Sequence, residues 1–203
     1  MVGAVILAAG LSRRMGQNKL TLMLDGIPIV EHVIRNLEVS DVDNIVLVYS
    51  EHTKEVKKIA DRHGIRSFRN DNAEEGLSTS VVKGLTELYG NEGVMFLLGD
   101  QPFILTEDIN SIVSKFLENR SKIIVPMNYS GRGNPILFPE KYFNEILDIT
   151  GDSGAKQVLN RHEDEVVFVQ VKDSKIQFDI DTPEDFETAG THFNNNIKAS
   201  RVK

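Results

Sequence analysis

"MVGAVILAAGLSRRMGQNK", residues 1–19, decides how the rest of the chain is read. Val2–Ala8 is an uninterrupted apolar run and reads as a strand buried in a sheet. The chain leaves it through Ala8, Ala9 and Gly10, then places Arg13, Arg14 and Lys19 in one short loop. The small residues let a flat or charged ligand approach the backbone, and free amides there suit phosphate oxygens. Arginine adds a planar fork and lysine a point charge, both fit for a polyphosphate. The alternative is a solvated basic turn, because the spacing matches neither G-x-x-x-x-G-K-[ST] nor G-x-G-x-x-G.

Downstream, short apolar runs alternate with amphipathic segments, the pattern of a mainly parallel sheet covered by helices. "PIVEHVIRNL", "TKEVKKIADRHG", "GLSTSVVKGLTELYG", "TEDINSIVSKFLENR", "PEKYFNEIL" and "SGAKQVLNRH" read as helices. "NIVLVYS", "IRSFRN", "GVMFLLGD", "KIIVP", "PILF" and "EVVFVQV" read as strands. A last helix is expected in "DTPEDFETAGTHF", with Thr182 as its cap and Pro183 in its first turn. Residues 1–193 are expected to form one domain, and 194–203 a frayed tail.

Composition narrows the function classes. The chain of 203 residues has no cysteine, which removes disulfides, thiolate nucleophiles and cysteine-held metal centres. Its five histidines, His32, His52, His63, His162 and His192, have no short metal-ligand spacing. A formal charge of −7 argues against generic nucleic-acid binding and makes the basic loop a local device. No run reaches the roughly 18 apolar residues of a membrane span. The apolar N-terminus lacks a preceding basic region, so the expected location is the cytoplasm.

In an open α/β sheet, ligands gather at the carboxyl ends of strands. The loop after the first strand is one such place, and "GDQP" at Gly99–Pro102 is another. Asp100 is a hard carboxylate suited to Mg²⁺ and phosphate chemistry, or else a turn-initiating aspartate. Asp179 and Asp181 in "DIDTP" are either helix caps or further metal ligands, and a cap is expected for at least one of them. If Asp181 faces Asp100, the two can hold metal against a triphosphate.

"LAAGLSRRMGQNK", "LDGIPIVEHV", "LLGDQPF", "RGNPILF", "GDSGAK" and "DIDTPEDF", in this order over roughly 190 residues, resemble the molybdenum cofactor cytidylyltransferases, a branch of the Rossmann-like nucleotidyltransferases. The resemblance implies a three-layer α/β fold, a mainly parallel sheet with helices on both faces. It implies that Leu7, Ala8, Ala9 and Gly10 lie beside base and ribose, that Arg14 and Lys19 face the phosphates, and that Asp100 and Asp181 hold Mg²⁺. Lys19, Arg14 and Asp100 are the implied catalytic residues. "LAAG", together with Gly76, Leu77, Ser78, Thr79 and Ser80, looks like the cytidine-using branch rather than its guanylyl relatives. Asn134 and Lys156 match the acceptor side, with "RGNP" where R-G-H-P is more usual. The implied partners are CTP and a molybdopterin-type acceptor, with transient docking to a molybdenum hydroxylase or its chaperone. Rival readings are a cytidylyltransferase for a sugar or polyol phosphate, a guanylyltransferase, and a non-catalytic molybdopterin carrier.

Overall fold

The computed structural model describes residues 1–12, 14–171 and 174–200. The chain begins with β1 (Val2–Ala8), a small hairpin of β2 (Met23–Leu24) and β3 (Ile27–Pro28), and α1 (Ile29–Glu38). It continues through β4 (Asn44–Tyr49), α2 (Glu55–Arg62), β5 (Arg66–Arg69), α3 (Leu77–Glu87), β6 (Gly93–Leu98) and α4 (Thr106–Glu118). Next come β7 (Ile123–Asn128), β8 (Gly131–Arg132), β9 (Ile136–Pro139), α5 (Phe143–Leu147), α6 (Lys156–Arg161), β10 (Val166–Gln170) and α7 (Pro183–Ser200).

β1 is buried at every position because it is paired on both edges and covered on both faces. It runs parallel to β4 and β6, in a sheet ordered β10-β7-β9-β6-β1-β4-β5. The strand β9 runs against β6 and β7, so the sheet is mostly, not wholly, parallel. Strand order reverses at β1: β4 and β5 extend one way and β6 the other. The loops after β1 and β6 therefore diverge and open a crevice at the sheet's carboxyl edge.

Period-two alternation in β1 sends Ala4, Ile6 and Ala8 to one core and Val5 and Leu7 to the other. The first core meets apolar stripes of α1, α2 and α4, including Val33, Ile59 and Phe116. The second meets α3, α5 and α6 through Val81, Leu85, Phe143 and Val158. Gly84 lets α3 lie close on β1, since a Cβ there would come within 2.3 Å of Val5 Cγ1. A third cluster joins Leu24, Ile29, Phe103, Ile180 and Ala189, docking α7 beside the hairpin.

Helix α7 is assigned through Ser200; residues 201–203, the end of the expected tail, lie outside the described residues, as does Arg13. Among the described residues, no helix is long and apolar enough to cross a membrane.

Candidate active site

Three separate segments converge at the switch point. The loop after β1 carries Arg14 and Lys19, the turn after β6 carries Asp100, and the approach to α7 carries Asp181. Lys19 Nζ lies 2.5 Å from Asp100 Oδ2 and 2.6 Å from Asp181 Oδ1, and Arg14 reaches Asp181 Oδ2 at 2.7 Å. Lys19 is held by a short turn in which the Asn18 side chain accepts from the Leu20 amide. Asp100 and Asp181 are tied by backbone, because the Ile180 amide donates to the Asp100 carbonyl at 3.2 Å.

Neither aspartate of "DIDTP" caps α7. Thr182 Oγ1 accepts from the Asp185 amide, while the Asp185 carboxylate accepts from the amides of Asp181 and Thr182. That reciprocal pair does the capping and frees the Asp181 carboxylate to face Lys19. Asp179 instead accepts a hydrogen bond from the Gln101 side-chain amide.

The electrostatics follow from this crowding. Burial pulls the Lys19 ammonium down, but Asp100 and Asp181 outweigh it and hold the group above the ordinary lysine value. Burial, reinforced by the charge of Asp100, pushes the Asp179 carboxyl above its usual range against the Gln101 hydrogen bond. Asp100 Oδ1 is buried and has no hydrogen-bond partner. Two hard carboxylates meeting at one cation, with a free lone pair on one of them, fit Mg²⁺, which takes one or two carboxylates and completes its shell with phosphate oxygens and water. Among the described residues no third carboxylate or histidine joins them in a metal-binding group.

A cavity of about 430 Å³ opens over this cluster. It is lined by Leu7, Ala9, Gly10, Arg14, Lys19, Gly76, Leu77, Ser80, Asp100 and Asp181. Ala8, Ser78 and Thr79, expected beside the nucleotide, turn elsewhere. Ala8 is packed in the opposite core, the Ser78 amide donates to the Gly151 carbonyl, and the Thr79 hydroxyl bonds the carbonyls of Asn72 and Gly76. Gly76 has φ +116° and a Cβ there would come within 2.6 Å of the Gly151 backbone, so glycine is required for this junction.

The cavity also holds Ser12, Glu74 and Asp152, which sequence reasoning missed. Counting its charged lining, two cations face four carboxylates, Glu74, Asp100, Asp152 and Asp181. The basic loop is thus already engaged by the protein's own acids. Asp152 also lines a second cavity of about 340 Å³, floored by Phe96, Leu98, Ile136 and Phe138 and edged by Asn134 and Lys156. A third, of about 300 Å³, shares Asn134, Lys156 and Asn160 and adds Gln101, Arg132 and Asp179. The three spaces adjoin along the sheet's edge through these shared residues.

A family model described as the MobA-like NTP transferase domain matches residues 4–166. The chain belongs to this family. It is a nucleotidyltransferase, and its relatives include proteins named for molybdenum cofactor synthesis. The purine catabolism protein PucB of Bacillus subtilis is 31% identical over 90% of this chain and 93% of its own. A protein of Natranaerobius thermophilus named as a probable molybdenum cofactor guanylyltransferase is 31% identical over 93% and 94%. The molybdenum cofactor cytidylyltransferase of Escherichia coli is 29% identical over 93% and 95%. Among solved structures, the Mycobacterium sp. strain JC1 homologue of Mycobacterium tuberculosis Rv0371c superposes with a TM-score of 0.83 and 26% identity, covering 94% of this chain and 96% of that one.

Proposed function

We propose that this nucleotidyltransferase moves CMP from CTP to the terminal phosphate of molybdenum-loaded molybdopterin, yielding molybdopterin cytosine dinucleotide and pyrophosphate. The observation that carries the reading is the continuity of the groove: the Lys19–Asp100–Asp181 cluster opens through Asp152 into an apolar-floored space edged by Asn134 and Lys156. A floor of Phe96, Ile136 and Phe138 suits a flat fused heterocycle better than a sugar or polyol, whose hydroxyls need partners. Lys156, which lines the same space, supports the reading as a cation available to an acceptor phosphate.

In the reaction, an oxygen of the acceptor phosphate attacks the α-phosphorus of CTP. The bond from that phosphorus to the bridging oxygen breaks, and its electron pair leaves with pyrophosphate. A phosphate monoester is anionic near neutral pH, so no protein base is required. The chain's task is positioning and charge stabilisation. Lys19 and Arg14 exchange their carboxylate partners for phosphate oxygens and steady the leaving pyrophosphate. Asp100 and Asp181 would hold Mg²⁺, which supplies charge neutralisation at the α-phosphate.

Cytosine is favoured by "LAAG", where Ala9 brings to the cavity lining a methyl group that glycine lacks, and by Ser80 in "GLSTS". The relative from Natranaerobius thermophilus supports GTP as the second reading. The test is pyrophosphate release with Mg²⁺ and molybdenum-loaded molybdopterin, comparing CTP, GTP, ATP and UTP. Release that needs the pterin and favours CTP is expected. Release favouring GTP establishes the second reading, and none with any nucleotide from folded protein removes the molybdopterin assignment.

A further inference from the structure

Ser80 lines the nucleotide cavity together with Ala73, Gly76 and Leu77, all from α3 and the turn before it, whereas Lys19 and Arg14 come from the loop after β1. With phosphates drawn to the loop cations, the base falls to the α3 side. Behind Ser80 lies Asn70, buried and outside the cavity lining. Its side-chain nitrogen donates to Thr79 Oγ1 at 2.8 Å and to Ser80 Oγ at 2.9 Å, while its oxygen accepts from the Asn72 amide at 3.0 Å.

Proton counting then fixes every group. A carboxamide has two N–H bonds, and both are used. Its orientation is not open to reversal, because an amide nitrogen cannot accept from the Asn72 N–H. Thr79 spends its own proton on the carbonyls of Gly76 and Asn72. Ser80 Oγ accepts from Asn70, and among the described residues nothing accepts the Ser80 proton. Only the cavity remains.

We infer that Asn70 is a positioning residue that locks the Ser80 hydroxyl as a hydrogen-bond donor to the base, reading the N3 acceptor of cytosine. Uracil carries a donor at N3, and guanine carries one at its corresponding N1. Both would set proton against proton at Ser80. This inference rests on the reading of the cavity as the nucleotide site, but not on the identity of the acceptor.

The test inverts the polarity without changing the shape. Asn70→Asp replaces the two N–H donors by acceptor oxygens, so Ser80 turns its proton inward and offers a lone pair to the base. Calorimetric binding of the magnesium complexes of CTP, UTP and GTP to the full chain needs no acceptor substrate. The expected result is a fall of about tenfold or more in the CTP-to-UTP affinity ratio, the size of one hydrogen bond exchanged for a repulsion. Ser80→Ala should flatten that ratio without inverting it, and Asn70→Ala should resemble Ser80→Ala because a freed hydroxyl can rotate. If Asn70→Asp does not fold, the Asn70→Ala and Ser80→Ala pair decides the matter. An unchanged ratio in folded variants overturns the inference while leaving the nucleotide site standing. Failure of the wild-type chain to bind any nucleotide, or a wild-type preference for GTP, overturns the underlying reading instead.

Discussion

Lys19 is the residue on which the free site balances, since its ammonium meets Asp100 and Asp181 and is itself only about 10% exposed. Lys19→Ala leaves two neighbouring carboxylates without their shared cation. The expected outcome is opposite for two ligands: CTP affinity drops about tenfold to a hundredfold, from the loss of a charge-assisted bond, while Mn²⁺ affinity of the nucleotide-free protein rises. Calorimetry with each ligand alone checks both; if the two affinities move together, the cation-sharing account is wrong. Asp100→Asn keeps the shape and hydrogen-bond capacity, so the fold and melting temperature should hold while turnover falls by about a hundredfold or more. Near-normal turnover would remove Asp100 from the chemistry. At this scale the sequence pointed to Lys19 and Asp100 through the loops that follow β1 and β6, because strand ends are where ligands gather, and to Asp181 through the acidic approach to α7. It named contiguous stretches, which helix and strand geometry divide between faces. A helix turns about 100° per residue, so Leu77 and Ser80 share a face toward the cavity while Ser78 and Thr79 rotate away. A strand alternates, so Leu7 and Ala9 face the cavity and Ala8 faces the other core. Asp152 went unread because a lone acid in an exposed loop has no periodic signal.

Among the elements, α3 and α1 show what local pattern cannot state. Apolar periodicity identified α3, but not how near it lies to β1; that depends on Gly84 against Val5, a contact between distant parts of the chain. Alanine improves intrinsic helix propensity by about 1 kcal/mol over glycine, yet overpacking a tight core costs about 1–3 kcal/mol. Gly84→Ala is therefore expected to be neutral to destabilising, never stabilising, and urea denaturation at neutral pH measures the sign. On α1, buried Glu31 bonds Arg35 at 2.7 Å and Arg62 at 3.0 Å, with His63 at 3.4 Å, and so ties α1 to α2 and the residue after it. Burial pushes its carboxyl up, but the bonds to Arg35 and His63 prevail and hold it below the ordinary 4.5. A lowered folded value means the stabilisation is present above the unfolded value and is lost as pH falls through the folded one. Glu31→Gln should cost about 1–2 kcal/mol at pH 7, since both arginines are half exposed. The gap from wild type should narrow as pH drops below 4.5. A gap independent of pH would make Glu31 a packing residue rather than an ionic one.

The whole molecule joins site to stability through its third apolar cluster. The sequence foretold a mainly parallel α/β sheet, but an apolar run such as "PILF" carries no direction, and the reversal of β9 emerges only from its pairing with β6 and β7. Nor did it tell what Phe103 does. That ring packs with Leu24, Ile29, Ile180 and Ala189, so one cluster seats the hairpin after Lys19, the turn after Asp100 and the segment bearing Asp181. Phe116 is comparably buried but packs against the start of β6 at Gly93, the end of the sheet away from the carboxyl edge. Truncating either ring should cost about 3–5 kcal/mol, the usual loss for a buried phenylalanine. Their effects on ligand should differ. At a temperature where both variants remain folded, Phe116→Ala should bind CTP with Mg²⁺ as the wild type does, because its cavity is remote. Phe103→Ala should bind more weakly, because Asp100, Asp181 and Lys19 lose their common support. At ligand near a hundred times the wild-type dissociation constant, linkage adds about 2.7 kcal/mol of stability. The wild type and Phe116→Ala should thus share one ligand-induced rise in melting temperature, with Phe103→Ala showing a smaller one. Equal rises in all three proteins would mean that the third cluster holds the fold together without holding the site.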